Sequence, residues 1–289
     1  MTDIMNVTDI AFPNLGIYLT DVIQDFSVFG FRITIYGVIM SIAILMGLFA
    51  ALAEAKKTGQ NPDIYWDLVI YGIFVSIVCA RIYFVAFSWD TYKDHLWDIF
   101  NLRKGGIAIY GALIGAFGTV LVFSRVKKHS FWLIADTVSF GVLVGQIIGR
   151  WGNFFNREAF GGYTNNLLAM RLPIEAVRKS DLSESIVANI VTGTNYIQVH
   201  PTFLYEGLWN CLILLLLILY RKKKKFDGEF FLMYISGYGI GRFLIEGLRT
   251  DQLKLPVGGI AVSQMLGIVT AAIAILAILY HRCRLRKKD

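Results

Sequence analysis

From one end to the other, the chain alternates long apolar runs with short polar segments that are often basic. Apolar runs nearly free of charge cover 33–53, 67–87, 106–123, 131–148, 203–220, 229–246 and 258–280. Each is close to the roughly 20 residues that a helix needs to cross the hydrocarbon of a bilayer. The pattern predicts an all-α polytopic membrane protein of about seven transmembrane helices, forming a single integral membrane domain over 1–289. Only one connection is long. Residues 149–202 are expected to form a small head inserted between the fourth and fifth spans, with GGYTNN as a turn-rich start. RLPIEAVRKSDLSESIVANIV reads as partly helical and NYIQV as a short strand.

Composition agrees with the pattern. Of 289 residues 56% are hydrophobic and 17% charged, with mean hydropathy +0.57, which is more apolar length than one water-soluble core buries. A net charge of +7 would suggest nucleic acid in a soluble chain. Here the cations concentrate at alternate span ends instead: Lys56 and Lys57, then Arg125, Lys127 and Lys128, then Arg221 to Lys225, then Arg282, Arg284, Arg286, Lys287 and Lys288. The opposite short connections hold fewer, namely Arg32, Lys93, Arg103, Lys104, Arg249 and Lys254. Cytoplasmic loops retain positive charge, so the N-terminus and the 149–202 head are expected outside and the C-terminus inside, with anionic lipid headgroups rather than nucleic acid facing the basic ends. No lysine or arginine precedes Arg32, so no basic leader region is visible and the first span is expected to stay uncleaved. Cys79, Cys211 and Cys283 show neither metal-ligand spacing nor a disulfide framework.

Alternating span direction brings polar side chains to one depth near the outer face. Tyr36, Arg81, Tyr110, Gln146, Arg150, Thr202, Glu206, Asn210, Tyr238, Arg242 and Glu246 come from six different spans. Tyr238, Arg242, Glu246 and Arg249 share one helical face, as do Thr202, Glu206 and Asn210. An ionisable group facing lipid is costly, so such residues point into a bundle and find partners. A structural Arg242–Glu246 pair explains two of them but not the whole set. Arg150 and Arg242 at similar depth suggest a cationic site for an anionic group such as a phospholipid headgroup. A transporter would also carry intramembrane charge, but the inner halves, such as ILLLLILY at 213–220, offer no matching polar path. A protease is disfavoured by the absence of GxSG and HExxH sequences.

GRWGNFFNREAFGG at Gly149–Gly162 resembles the signature of the prolipoprotein diacylglyceryl transferase family, G-R-x-G-N-F-x-N-x-E-x-x-G, at every fixed position. The resemblance extends to Tyr36-Gly37, GGIAIYGALIG at 105–115, HPTFLYE at 200–206, YGIGRFLIEGLR at 238–249 and SQ at 263–264. It implies a multi-pass enzyme of the bacterial cell membrane with its active site toward the outer leaflet. The implied reaction moves the diacylglyceryl group of phosphatidylglycerol to the lipobox cysteine thiol of a prolipoprotein signal peptide, releasing glycerol phosphate, as the first step of lipoprotein maturation. The resemblance implies catalytic roles for Arg150, Arg242, Tyr110 and Glu246, and substrate-binding roles for Tyr36, Asn153, Glu158, Gly161, Glu206 and Arg249.

The chemistry suits those residue types. Guanidinium forks match a phosphate anion in a poorly hydrated cavity, and they stabilise the charge that grows on the departing phosphate. Phosphate already leaves well, so no metal or other cofactor is expected. The proton acceptor is open, because some family members carry histidine where this chain has Tyr110. Tyr110 could be acidified by arginines, or Glu206, Glu246 or Glu158 could accept the thiol proton, or the arginines alone could favour the thiolate. The last is the preferred expectation.

Overall fold

The computed structural model describes residues 4–101, 105–253, 259 and 261–287. Arg103, Lys104, Lys254, Lys288 and position 258, where the last apolar run begins, lie outside the described residues.

The fold is mostly helical. Long helices are α1 (Ile35–Lys57), α2 (Asp63–Phe87), α4 (Ile109–Val126), α5 (Phe131–Asn156), α7 (Thr202–Tyr220), α8 (Glu229–Glu246) and α9 (Val262–Arg286). Two single turns, α3 (Trp89–Tyr92) and α6 (Glu184–Val187), complete the α-helices among the described residues, which also hold several short 3-10 helices. Six of the long helices are apolar and long enough to cross a membrane. The other, α8, is 18 residues long and carries Glu229, Arg242 and Glu246. The chain is a multi-pass membrane protein.

Two compact units divide the chain: Met1–Gly47 with Phe140–Asp289, and Leu48–Ser139. In the second, α2 and α4 pack backbone to backbone. A Cβ on Gly115 would stand 2.8 Å from Ser76 Cα, and one on Gly111 2.6 Å from Tyr83 Cβ. Small residues allow this approach where lipid offers no hydrophobic drive for helix association. Arg81, 6% exposed, spends its guanidinium on main-chain carbonyls of the same unit. Its Nε donates to Ile99 O at 2.7 Å, its Nη1 to Gly105 O at 2.7 Å and Gly106 O at 2.8 Å, and its Nη2 to Asp98 O at 2.6 Å.

The larger unit carries strands that the hydropathy pattern does not foretell. β1 (Ile10–Phe12) and β2 (Ile17–Leu19) join β5 (Met170–Pro173) and β6 (Tyr196–Val199) in an antiparallel sheet ordered β2-β1-β5-β6. β3 (Asp25–Val28) and β4 (Phe31–Thr34) form a hairpin that feeds directly into α1. Its two-residue turn, Phe29-Gly30, has φ of 49° and 79°, the doubly positive turn that matches strand twist. Ile10, Phe12, Met170, Leu172, Ile197 and Val199 bury against Phe154, Phe160 and Phe203. The head therefore draws on the N-terminal segment as well as on 149–202. NYIQV behaves as expected there, as β6. The segment expected to be partly helical is so, with 3-10 turns at Ile174–Ala176 and Lys179–Asp181 and the single turn α6, but its start forms the unforeseen strand β5.

The fourth span also runs further than its apolar run. α5 continues through the first half of the signature to Asn156, because Trp151, Phe154 and Phe155 extend the apolar face into the head core. It stops where Arg157 adopts φ 52°, the left-handed conformation that closes many helices. Arg157 is 3% exposed and pins the N-terminal segment to the helix end, donating from Nη2 to Thr8 O and Val22 O at 2.7 Å each. Burial lowers its pKa, with Asp9 opposing.

Deeper in the same unit, α8 and α9 meet at Gly239 and Gly267. A Cβ on Gly267 would fall 2.7 Å from Gly239 O, and one on Gly239 would overlap Gly267 O. This contact fixes the helix that carries Arg242 and Glu246.

Candidate functional site

The exit of α5, the start of α7, the end of α8 and the start of α9 meet beneath the head sheet. Main-chain hydrogen bonds stitch them together: Gly161 N donates to His200 O at 3.0 Å, Gly162 N to Leu248 O at 2.9 Å and Thr250 N to Phe160 O at 3.4 Å. The Thr202 hydroxyl donates to Ala159 O. Gly161 has no room for a side chain, since a Cβ would lie 2.8 Å from both His200 Cβ and Leu248 O. Its contribution is to bring three chain segments together. His200, hydrogen-bonded through Nδ1 to the Tyr205 hydroxyl at 3.2 Å, has its pKa lowered by burial.

That stitching assembles an arginine–carboxylate cluster around Glu206, which is 5% exposed. Arg150 Nη2 lies 2.5 Å from its Oε2 and Arg242 Nη1 3.4 Å from the same oxygen, while Arg249 Nη1 is 3.5 Å from Oε1. Glu246, 3% exposed, faces Arg242 Nη2 at 2.8 Å and Arg249 Nε at 3.8 Å. Its Oε2 lies out of line for a hydrogen bond, so that contact is coulombic, whereas Oε1 accepts from Ser263 Oγ at 2.5 Å. Arg249 also grips Asp251 with two parallel bonds of 2.8 and 2.7 Å. Burial raises the Asp251 pKa, but the Arg249 hydrogen bonds and charge outweigh it and hold the carboxyl below the usual range. In Arg249 the same partners overcome burial and strengthen the cation.

A second chain of contacts runs through the signature. Arg150 Nη1 donates to Asn153 Oδ1 at 3.4 Å, Asn153 Nδ2 to Glu158 Oε1 at 3.0 Å, and Arg178 Nη2 to Glu158 Oε2 at 2.9 Å. Tyr36 packs on Gly152, where a Cβ would stand 2.8 Å from the ring. Thus nine of the ten expected site residues lie in one unit, and seven of them, Arg150, Asn153, Glu158, Glu206, Arg242, Glu246 and Arg249, are joined by polar contacts. Tyr36 and Gly161 support that set by packing. Tyr110 belongs to the other unit, in the first turn of α4, where its ring lies 6.4 Å from that of Tyr83. Arg81, expected at the polar level, holds carbonyls of its own unit. Asp251 and Arg178 were not anticipated as members. The sequence signal for Asp251 is its place two residues after Arg249, beyond the end of the helical face.

The model of the prolipoprotein diacylglyceryl transferase family matches residues 24–280. The chain belongs to this family. Relatives named phosphatidylglycerol–prolipoprotein diacylglyceryl transferase include one from Listeria welshimeri serovar 6b, 46% identical over 250 residues that cover 86% of each chain. Another from Bacillus velezensis is 41% identical over 86% of this chain and 88% of the relative. One from Clostridioides difficile is 40% identical over 86% and 92% respectively. As in those transferases by name, the chemistry expected of the family is group transfer, and the clustered arginines are the groups suited to an anionic leaving group.

Proposed function

We propose that this chain transfers the diacylglyceryl group of phosphatidylglycerol to the lipobox cysteine of a prolipoprotein. The observation that carries the reading is one buried carboxylate, Glu206, contacted by three arginines from two parts of the chain far apart in sequence. Three guanidinium groups, those of Arg150, Arg242 and Arg249, face three carboxylates, those of Glu206, Glu246 and Asp251. The cluster is balanced as it stands and oriented before substrate arrives.

A lipid phosphate then competes for Arg150 and Arg242, which offer it bidentate, charge-assisted bonds. The cysteine sulfur attacks the glycerol carbon bonded to the phosphate oxygen, the carbon–oxygen bond breaks, and its electron pair leaves with glycerol phosphate as the thioether forms. Charge builds on the departing oxygen, where fixed guanidinium groups stabilise it most. As Arg150 and Arg242 turn to the phosphate, the Glu206 carboxylate gives up two of its three guanidinium partners and its Oε2 is freed, while Arg249 stays beside Oε1. Glu206 accepts the thiol proton at that point. Asn153 keeps Arg150 oriented, Glu246 holds Arg242 in place with Arg249 beside that carboxylate, and Tyr110 is not required as a base.

The proposal includes seven spans, with α8 crossing the membrane, the N-terminus and head outside, and the site opening toward the outer leaflet of the bacterial cell membrane. Within the larger unit, Arg221 to Lys225 follow the end of α7 far from Glu206, and Arg282 to Lys287 lie at the end of α9 far from Ser263, which supports it. Single cysteines at positions 178 and 222 test the orientation: an impermeant thiol reagent should label the first in intact cells and the second only after permeabilisation. The activity test is a mass measurement on a lipobox peptide incubated with the protein and phosphatidylglycerol vesicles. A gain of one diacylglyceryl unit supports the reading, whereas peptide cleavage or no change overturns it.

A further inference from the structure

One helical turn from the arginine cluster lies a recess lined by Glu206, Trp209, Asn210, Tyr238, Arg242 and Ile245. Asn210 follows Glu206 by four residues on α7, and Tyr238 precedes Arg242 by four on α8, so both lie on the side of the cluster away from the head. Asn210 is 2% exposed, yet its Nδ2 has no hydrogen-bond partner among the described residues. A buried amide donor left unpaired costs about 1–3 kcal/mol, so its retention calls for an acceptor that the protein itself does not supply. The Glu206 carboxylate and the Tyr238 hydroxyl are acceptors in the same lining, but neither hydrogen-bonds to Asn210 Nδ2. The Trp209 indole N–H is spent on Gly237 O at 2.8 Å, and the ring occupies the space that a side chain at Gly241 would need.

The acceptor must be one that arrives with the substrate. In a glycerophospholipid the two acyl ester carbonyls sit a few bonds from the phosphate on the tail side. They are acceptors without hydrogens of their own. Phosphate on Arg150 and Arg242 brings those carbonyls roughly one helical pitch, about 5 Å, further along the helices, which is the depth of Asn210. We infer that Asn210 Nδ2 is a binding residue for an acyl ester carbonyl of the transferred diacylglyceryl group. This inference rests on the transferase reading of the site. The bond fixes the glyceryl unit from the tail side while the arginines fix it from the phosphate side, so that the attacked carbon is held at two points. The apolar faces of Trp209 and Ile245 accommodate the carbons between them.

The test compares phosphatidylglycerol bearing acyl esters with its dialkyl ether analogue, which keeps headgroup, charge and chain length but lacks both carbonyls. Transfer to a lipobox peptide is measured as kcat/KM in mixed micelles for the purified full chain. The wild-type protein should prefer the ester lipid by about five- to tenfold, the size of one neutral hydrogen bond. In Asn210→Leu that preference should collapse to about unity through a fall in the ester rate. Equal loss on both lipids with the preference intact would overturn the proposal and leave Asn210 as a helix-packing amide, as would a wild-type protein that does not distinguish the two lipids. If Asn210→Leu does not fold, Asn210→Ala is read in the same way. Failure of the wild-type protein to use either lipid would overturn the transferase reading instead.

Discussion

Arg81 and Arg242 are both arginines within apolar helices, yet they are held by opposite kinds of partner. Arg81 is closed off: its nitrogens end on the carbonyls of Asp98, Ile99, Gly105 and Gly106, none of which titrates or trades places with a ligand. Arg242 ends on the carboxylates of Glu206 and Glu246, at 3.4 and 2.8 Å. A phosphate can substitute for a carboxylate, because both present paired anionic oxygens to a guanidinium fork. Partner chemistry, rather than depth or charge, separates an arginine that holds the fold from one that can exchange its counterion for substrate.

Replacing each arginine should break the comparison most sharply. Arg242→Gln is expected to lower transfer by about 10²–10³-fold, the scale seen when a preorganised donor to a developing anion is removed, with the protein still monodisperse in detergent. A tenfold or smaller loss in the peptide-lipidation assay would contradict a direct role. Arg81→Met should act on stability instead. Its loss strands several carbonyls and costs about 3 kcal/mol, read as a lower detergent melting temperature with transfer per folded molecule largely kept.

Smaller effects sharpen the picture. Gly239→Ala forces a methyl against Gly267 O and should destabilise by about 1–3 kcal/mol, in the range for overpacked contacts, unless α9 shifts away. Asp251 gives a pH signature. Its folded-state pKa lies below the unfolded value, so its contribution is fully present above about pH 4 and is lost as pH falls through the folded value. Asp251→Asn should therefore lower thermal stability at pH 7 and flatten its decline below pH 4. Tyr110→Phe should change transfer by less than about threefold, since the acceptor proposed above is Glu206 and not the phenol; near-complete loss with lipid binding intact would reassign that step.

Hydropathy and charge made the long helices legible, because span length and apolar content are set by the bilayer itself. α8 was found from its apolar run despite Arg242 and Glu246, whose i, i+4 spacing already marked a shared face. The N-terminal strands were not legible: β1 has only three residues and acquires its partners from β5, some 160 positions away, which no local periodicity records. The site was legible as a set of residues but not as a balanced one. Spacing brought Arg150 and Arg242 to one depth and suggested net positive charge, whereas the fold supplies Glu206 between them and Asp251 beside Arg249. Arg81 matched the same depth rule and proved to serve its own loop, because depth in a span does not show which carbonyls a later segment will present.

The central claim is that Arg150 and Arg242 exchange Glu206 for a lipid phosphate. A structure of the full chain with short-chain phosphatidylglycerol tests it directly. The account predicts phosphate oxygens about 2.7–2.9 Å from both guanidinium groups and a Glu206 carboxylate released from the 2.5 Å contact it makes with Arg150. A phosphate bound elsewhere, with the Arg150–Glu206 and Arg242–Glu246 pairs undisturbed, would contradict it.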